Sequence, residues 1–412
     1  MVISLKRKLT NTEYLNTIQV TSSNAISKFG DVLFDYINSV FLSSSRNGGF
    51  WLALYQSSEI LISVFFNFWG GALSDNSNRK KIIWHCDIIA GFICIGLALL
   101  VPKVFFVYDI LLINVALAIL SSFRNPAYKA IFREIVYKEH INEVNSVLEI
   151  AKEIVKICGP TGAVIISHFL GNKLALIIDG ITFLISGLLI KRLSIITPLD
   201  LPNSSKKTFL QIKEGLTYII CHKEILIIIL FSSIVNFIIA GYNLILPFST
   251  YAFPNSNLKT YAIFLTAEAV GGLIGATTST FIKKEPTTNK LLILLFFGGM
   301  ALVPSNEIYF ISHSAIFVSI CIAFFNFFLS IYNIQFMTFV QVRTDINYIG
   351  RVFGIIFSLV ILFMPIGTFC FQRILNLKKA NNYILIGVTL VIVACITWII
   401  HLMVLKNKIN NE

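Results

Sequence analysis

The chain has 412 residues, of which 56% are hydrophobic and only 13% are charged, and its mean hydropathy is +0.79. Soluble domains carry about 25% charged residues, so this composition excludes a soluble globular protein and indicates an all-α polytopic membrane protein. The net charge of +12 would suit nucleic-acid binding, but the excess is spread over short loops without a basic patch interleaved with aromatics, which excludes that partner.

Apolar runs recur along the chain at about the 20 residues that a helix needs to cross a bilayer. We predict about twelve spans, arranged as an N-terminal six-helix half (1–193), a cytoplasmic linker with an amphipathic helix (194–223) and a C-terminal six-helix half (224–412). The spans lie near residues 15–43, 50–73, 82–101, 104–123, 144–170, 174–193, 224–248, 260–282, 290–306, 309–340, 351–374 and 383–405.

Most of the 33 lysines and arginines lie in the loops on the side of the N-terminus, among them Arg79, Lys80 and Arg124. By the positive-inside rule this bias predicts that both termini are cytoplasmic, in a multi-pass protein of the cell (plasma) membrane. The polar first dozen residues are not followed by a signal-peptide core, and the Lys-, Ile- and Asn-rich composition suggests a bacterial source.

The first span contains the stretch SKFGDVLFDY, which places Lys28, Asp31 and Asp35 inside the membrane. At 100° per residue these side chains fall, with Asn24 and Asn38, within about 80° of one another and form one polar stripe. A charged side chain at a helix centre costs roughly 2.5–3.5 kcal/mol, so it faces a cavity or a partner. Two interpretations stay open: a structural ion pair with one wetted acid, or a cavity-lining acid that binds a cation or carries a proton.

Two isolated acids in other spans, Glu59 in the second and Glu268 in the eighth, are further candidates for binding substrate or protons. The fifth span carries charges at spacings that allow ion pairs within the helix, as a gating or structural network. These residues are Glu149, Lys152, Glu153 and Lys156. Other span acids lie near span ends or at fold-typical positions and receive structural roles: Asp87, Asp109 and Asp179.

Motifs for metals, cofactors and catalysis are absent from the sequence. The seven cysteines are scattered without a CxxC pair, which argues against a zinc site or disulfides. Since there is neither a catalytic cluster nor a nucleotide-binding Gly-rich loop, we expect no cofactor and no enzyme activity, and an ion gradient, most simply of protons, as the energy source.

The two halves echo each other in sequence. Pro160 in the fifth span (GPTGA) and Pro365 in the eleventh (MPIGT) are about half the chain apart, and at the same offset the loop after the second span aligns near the loop after the eighth. Parallel six-helix repeats are typical of transporters whose substrate site lies near the midplane.

The loop GALSDNSNRKKI, from Gly71 to Ile82, carries a specific resemblance. It resembles the signature loop of the major facilitator superfamily, Gly-x-Leu-Ala-Asp-Arg-x-Gly-Arg-Arg-x-Ile, through matching residues Gly71, Leu73, Asp75, Arg79, Lys80 and Ile82. Asp75 is expected to cap a helix start. Asn78 stands at a usual glycine, where it tolerates the left-handed conformation better than most residues.

Other segments resemble the drug-exporting branch that includes the macrolide-efflux proteins. They are SKFGDVLFDY, FRNPAYKAIFREIV, LALIIDGITFLISG and YIGRVFGIIFSLVILFMPIG, the last with Gly350, Arg351 and Pro365. Leu117 stands where many proton-coupled members carry an arginine.

The resemblance implies a monomeric, twelve-helix transporter in the lipid bilayer that works by alternating access. We expect it to export an amphipathic small molecule, such as a drug, a macrolide-like compound or a hydrophobic cation, by proton antiport. It also implies a gate between the halves, in which Glu268 meets Lys152 or Lys156. The alternative is import or export of a dedicated substrate such as a nutrient, a siderophore or a peptide, and the direction of transport separates the two.

Overall fold

The structure is a computed structural model that describes residues 9–100, 106–137, 140–196, 216–254, 260–282, 286–344 and 349–409, although not every side chain within them. The chain divides into two compact units, Met1–Ser205 and Lys206–Glu412. The predicted linker and its amphipathic helix lie largely outside the described residues, and helix is present over 216–221.

Both units consist of long helices. The first unit contains α1 (Asn11–Ser44), α2 (Gly48–Asn76), α3 (Arg79–Leu100), α4 (Phe106–Ala130), the short α5 (Phe132–Ile135) and α6 (Ile141–Lys191). The second unit contains α7 (Lys223–Ile245), a 3-10 turn (Leu246–Phe248), α8 (Ser249–Ala252), α9 (Thr260–Thr280), α10 (Thr288–Leu302), α11 (Ser305–Ser312), α12 (Ala315–Arg343), α13 (Ile349–Ile374) and α14 (Asn381–Ile409).

Nine stretches in the described part of the chain are long and apolar enough to cross a membrane. They are Gly48–Asn67, Arg79–Leu99, Val107–Ala130, Leu174–Lys191, Glu224–Ala252, Thr260–Ser279, Thr288–Ser312, Ala315–Val340 and Asn381–Met403. The predicted first and fifth spans are helical, within α1 and α6, but are not among these nine, and the described apolar part of the eleventh is the shorter Val360–Ile374.

The predicted fifth and sixth spans form one continuous helical run, α6, of 51 residues. Gly159 packs on Val32 of α1, and Thr182 packs on Gly30 of the same helix. A straight helix would separate Gly159 from Thr182 by about 35 Å, whereas Gly30 and Val32 are two residues apart. The run therefore reverses direction between these contacts, and its two legs occupy the positions predicted for two spans.

Two local predictions are wrong at helix starts. Asp75 lies inside α2, and the residue that caps α3 is Asn78, whose side-chain oxygen accepts a hydrogen bond from the Lys81 amide at 3.0 Å. The break predicted between 306 and 309 falls instead at His313, which has a left-handed φ of 49°, and Ser314, whose hydroxyl accepts from the Ile316 amide. Side-chain caps and a left-handed residue set these boundaries, and hydropathy does not register either.

The repeat predicted from the two prolines extends to the contacts between helices within each unit. A methyl group on Gly70 of α2 would lie 2.0 Å from the backbone oxygen of Ser122 in α4. On Gly271 of α9 it would lie 2.0 Å from that of Ala323 in α12. Each half thus packs its second helix against its fourth through a glycine.

Two further contacts repeat in the same way. Within each half, the third and sixth helices meet glycine to glycine, and the fifth meets the first at a glycine beside a phenylalanine. The pairs are Gly91–Gly180 and Gly299–Gly387, then Gly162–Phe29 and Gly367–Phe237. Gly271 opens the small-residue run GGLIGA, and small residues of this kind let helix backbones approach closely.

Candidate functional site

In the first unit, Asp35 is held by a hydroxyl from the neighbouring helix. Tyr55 of α2 donates to Asp35 Oδ1 at 2.6 Å. Asn114 of α4 donates its amide to the Tyr55 carbonyl oxygen at 2.9 Å and to Ser58 Oγ at 3.1 Å. We name Asp35, Tyr55 and Asn114 the first-half triad. It fixes an acid of α1 through α2 and α4, while leaving that acid exposed.

The other charges of the predicted stripe lie on the same accessible face. Lys28 Nζ binds Asp31 Oδ2 at 2.7 Å, with side chains that are 46% and 28% exposed. Glu59 is exposed and lies within electrostatic range of Asp31, Lys28 and Asp35. Three carboxyl groups therefore share one face with a single lysine, and their surplus negative charge suits a cation or protons.

The stripe is narrower than predicted, because Asn24 and Asn38 are buried. Leu117, at the position of the arginine carried by the resembled proteins, packs against an apolar cluster that includes Phe34, Cys94 and Leu176. The local counter-charge for the acids of α1 is therefore Lys28.

The second unit places a similar set of groups around Glu268. Tyr242 of α7 donates its hydroxyl to Glu268 Oε1 of α9 at 2.6 Å, and Asn326 of α12 donates its amide to the same oxygen at 3.4 Å. We name Tyr242, Glu268 and Asn326 the second-half triad. Its tyrosine is fully buried, with ring contacts to Phe325 and Tyr383. The predicted gate from Glu268 to Lys152 or Lys156 joins the two units and stays a prediction.

Arg124, predicted to lie in a cytoplasmic loop, is instead buried within α4. Its Nε binds Asp87 Oδ1 of α3 at 2.5 Å, and its Nη2 donates to Ser27 Oγ of α1 at 3.0 Å. Ser186 of α6 completes the network by donating to Asp87 Oδ2 at 2.7 Å. The structural role predicted for Asp87 thus has a specific content, since Asp87 neutralises a buried arginine and joins four helices.

Charges at the end of the first unit where α1 and α3 begin are also paired. Arg79 forms an ion pair with Glu134, and Lys80 donates to the Leu193 carbonyl oxygen at 2.7 Å. These contacts tie the start of α3 to α5 and to the end of α6. Of the other signature-loop residues, Leu73 is exposed, whereas the burial of Gly71 and Asp75 falls outside what the structure describes.

Glu13, in the first turn of α1, is fully buried at the same end of the unit. Its carboxylate accepts hydrogen bonds from the Tyr137 amide at 3.0 Å, from His140 Nδ1 at 3.0 Å and from the Thr10 amide at 2.9 Å. Burial raises the pKa of Glu13, but these bonds outweigh it and hold that pKa below its ordinary value of 4.5. The end of the first unit where α1 begins is thus stabilised by an ionised, buried carboxylate.

The remaining predicted residues are placed only in part. In α6, Lys152 is half-buried and Lys156 is exposed, whereas the side chains of Glu149 and Glu153 fall outside the described ones. Their predicted pairing therefore stays a prediction. Gly350 and Arg351 lie in the first turn of α13, and their burial also falls outside what the structure describes. Pro365 lies buried inside that helix, two residues before Gly367.

Sequence reasoning missed the partners of the acids, which are Tyr55, Asn114, Tyr242 and Asn326. A signal was present for the two asparagines. Asn114 and Asn326 are amides within apolar helices, and an amide in a span bonds to a partner across helices.

No group of three or more His, Cys, Asp and Glu side chains in the described ranges could hold a metal ion. Among the described contacts, Asp31 pairs with a lysine, Asp35 with a hydroxyl, and Glu268 with a hydroxyl and an amide.

Comparison with known proteins is consistent over most of the chain. The family model described as Major Facilitator Superfamily matches residues 26–368. Macrolide efflux protein A of Streptococcus pyogenes is 22% identical over 333 residues, which are 78% of this chain and 80% of that protein. The uncharacterized MFS-type transporter YkuC of Bacillus subtilis (strain 168) is 26% identical over 254 residues, and the match spans 58% of either protein.

Solved structures share the fold. The nucleoside transporter NupG (D323A mutant) superimposes with a TM-score of 0.76 at 14% identity, over 93% of this chain and 99% of that one. The POT family transporter PepTSo superimposes with a TM-score of 0.71 at 10% identity, over 93% of this chain and 97% of that one. At such identities the likeness extends to the fold and not to the substrate.

Proposed function

The chain belongs to the Major Facilitator Superfamily, and from this premise we propose that it exports an amphipathic cation or weak base from the cytoplasm in exchange for protons. The observation that carries the proposal is the accessible face of the first unit, where Asp31, Asp35 and Glu59 lie together with one lysine. An amphipathic amine supplies the positive charge that this face lacks, and its apolar part suits a site between membrane helices.

The acids also provide groups for coupling. A carboxyl group that binds either a proton or a cationic substrate couples the two movements, because occupancy by one excludes the other. Asp35 suits this role, because its described partner is a neutral tyrosine hydroxyl. Lys28 binds Asp31 instead.

The likeness to macrolide efflux protein A supports export over import. Macrolide-like compounds are therefore the first substrates to test, together with hydrophobic cations.

Residues Arg79 and Lys80 lie at the same end of the helices as the start of α1. Positive-inside bias at that end supports termini in the cytoplasm and insertion in the plasma membrane of a bacterium, which fusions of alkaline phosphatase and green fluorescent protein to the C-terminus would test.

The proposal is tested by the accumulation of ethidium and erythromycin in bacterial cells that express the protein, with and without a protonophore. We expect lower accumulation in expressing cells, its return when the proton gradient collapses, and its loss in the Asp35→Asn variant. Glu307→Gln is the matched control, because it neutralises an exposed carboxyl at the start of α11, and it should export as the wild type does.

Unchanged accumulation of both probes in expressing cells would contradict export of amphipathic cations. Higher accumulation in expressing cells would favour the alternative, import of a dedicated substrate. Equal export by the Asp35→Asn variant and the wild type would remove Asp35 from the coupling mechanism.

A further inference from the structure

Two of the described aspartates of the first unit are completely buried, and their surroundings differ in one respect. Asp87 and Asp179 are each 0% exposed. Both oxygens of Asp87 are bonded, Oδ1 to Arg124 and Oδ2 to Ser186. Among the residues that the structure describes, Asp179 Oδ1 has no hydrogen-bond partner, and Oδ2 has only the thiol of Cys94, at 3.8 Å.

Asp179 lies beside apolar groups, the backbone of α1 and the Thr182 hydroxyl, which donates to the Asp179 backbone oxygen and not to its carboxyl. Leu176 and Ile177, three and two residues before it on α6, belong to or pack against an apolar cluster with Cys94 and Phe34. On the other side, a methyl group on Gly30 would lie 2.5 Å from Asp179 Oδ1. The carboxyl therefore lies directly against α1 at a residue without a side chain, and the next residue along α1 is Asp31.

The described charged and titratable groups that act on Asp179 include Cys94 on α3 and three residues on α1, namely Lys28, Asp31 and Asp35. None of the three on α1 bonds to it among the described contacts, since Lys28 binds Asp31 and Asp35 binds Tyr55. An ionised carboxylate without a counter-charge or hydrogen bonds is strongly unfavourable in an apolar interior, and such a group keeps its proton instead.

We propose that Asp179 is a proton-binding site of the transport cycle, occupied in this conformation and emptied toward the acids of α1. The site lies behind the accessible face, on the opposite side of α1 at Gly30. The transfer moves one proton: the O–H bond of the Asp179 carboxyl breaks and an O–H bond forms on the carboxylate of Asp35, because Asp31 is ion-paired with Lys28. No further reactant is required.

This inference rests on the proposed proton coupling. It gives a role in that coupling to Asp179, which the sequence had suggested to be structural. It requires α1 and α6 to shift during the cycle, because Oδ1 is sealed in this conformation. Alternating access supplies movement of helices around a midplane site.

The test compares Asp179→Asn with Asp87→Asn in proteoliposomes. If Asp179 is protonated, asparagine has nearly its shape and charge, so Asp179→Asn should fold as the wild type does. Asp87→Asn leaves Arg124 as a buried cation without its counter-ion and should lower the unfolding temperature. Failure of Asp179→Asn to fold would overturn the proposal.

Infrared spectra of the wild type at neutral pH give the second measurement, through the carbonyl stretch of protonated carboxyl groups. The difference between the wild-type and Asp179→Asn spectra should contain one such band, and the Asp87→Asn spectrum should retain it. Absence of that band from the difference would show that Asp179 is ionised and would overturn the proposal even where folding is normal.

Transport of ethidium then shows whether the proton on Asp179 is released during the transport cycle or stays bound throughout it. Asp179→Asn should lose uptake into everted vesicles driven by a proton gradient but keep ethidium exchange without a gradient. Gradient-driven uptake equal to the wild type would overturn the role of Asp179 in the cycle. A wild type that exchanges ethidium but does not respond to the gradient would instead refute the proposed proton coupling itself, so the two failures are distinguishable.

Discussion

The first-half and second-half triads each consist of an acid, a tyrosine and an asparagine on equivalent helices. The acid and the tyrosine have swapped helices between the two halves. In the first half the acid, Asp35, is on the first helix and the tyrosine on the second. In the second half the tyrosine is on the first helix, α7, and the acid, Glu268, on the second, α9. The amide comes from the fourth helix in both, as Asn114 and as Asn326.

The surroundings of the triads differ more than their composition. Asp35 is exposed and shares its face with Asp31, Glu59 and Lys28. Glu268 is half-buried and bonds to a tyrosine enclosed by aromatic rings. The repeat has thus preserved helix packing while the electrostatics diverged, which leaves the titratable face in the first half and a rigid polar contact in the second.

The largest effect is expected where the two halves are most alike, at the glycines between the second and fourth helices. Gly70→Ala and Gly271→Ala each place a methyl group 2.0 Å from a backbone oxygen. Since the helices must separate, each change should destabilise the protein by about 1–3 kcal/mol or more. Thermal unfolding of the purified protein in detergent measures this loss.

Gly96→Ala is the matched control, because a methyl group there meets no atom within 4 Å. It should be neutral or stabilising by up to about 1 kcal/mol, from helix propensity. A large loss for Gly70→Ala with none for Gly271→Ala would show that equal geometry does not mean equal packing energy in the two halves.

The fold followed from the sequence to a large extent because hydrophobicity and loop charge are distributed over many residues. The repeat was visible at Pro160 and Pro365 and is present in the helix contacts. What failed depended on single residues: the cap at Asn78 and the left-handed residue His313. Periodicity averages over such features.

The candidate site was predictable only in its acids. Asp35 and Glu268 stood out because a charge in a span is costly. Their tyrosine partners could not be found, since pairing across helices depends on the rotation of each helix. Arg124 was misplaced because it precedes Asn125 and Pro126, residues typical of a loop, although both lie inside α4 and Arg124 binds Asp87.

The intermediate effect tests whether the triads differ in role, through Tyr55→Phe and Tyr242→Phe. Each change removes one hydroxyl bond to a carboxylate. Water can replace the bond at the exposed Asp35, so Tyr55→Phe should cost less than about 1 kcal/mol and should act mainly on ethidium transport. Tyr242→Phe should cost about 1.5–3 kcal/mol, the range for hydrogen bonds to charged groups.

Unfolding temperature and ethidium efflux, measured on both variants at matched expression, check this pair. Tyr332→Phe is the control, because it removes a buried tyrosine bond to Ser232 away from both acids. If Tyr55→Phe destabilised the protein as much as Tyr242→Phe did, the division into a titratable and a rigid triad would be wrong.

The smallest effect concerns the glutamates that begin the first helix of each half. Glu13 is buried among hydrogen bonds that lower its pKa, whereas Glu224 forms an exposed ion pair with Arg343, with side chains 57% and 39% exposed. Glu13→Gln should cost about 1 kcal/mol at pH 7. Glu224→Gln should be close to neutral, because exposed pairs contribute about 0–1 kcal/mol.

The pH dependence separates the two glutamates further. Because the pKa of Glu13 is lower in the folded protein than its ordinary value of 4.5, its contribution is complete above that value and is lost as the pH falls through the folded pKa. The unfolding temperatures of the wild type and Glu13→Gln should therefore converge as the pH drops below 4.5, while those of the wild type and Glu224→Gln stay close throughout. If the difference in unfolding temperature between the wild type and Glu13→Gln stayed constant from pH 7 to pH 4, the carboxylate charge would not be what stabilises the end of the first half where α1 begins.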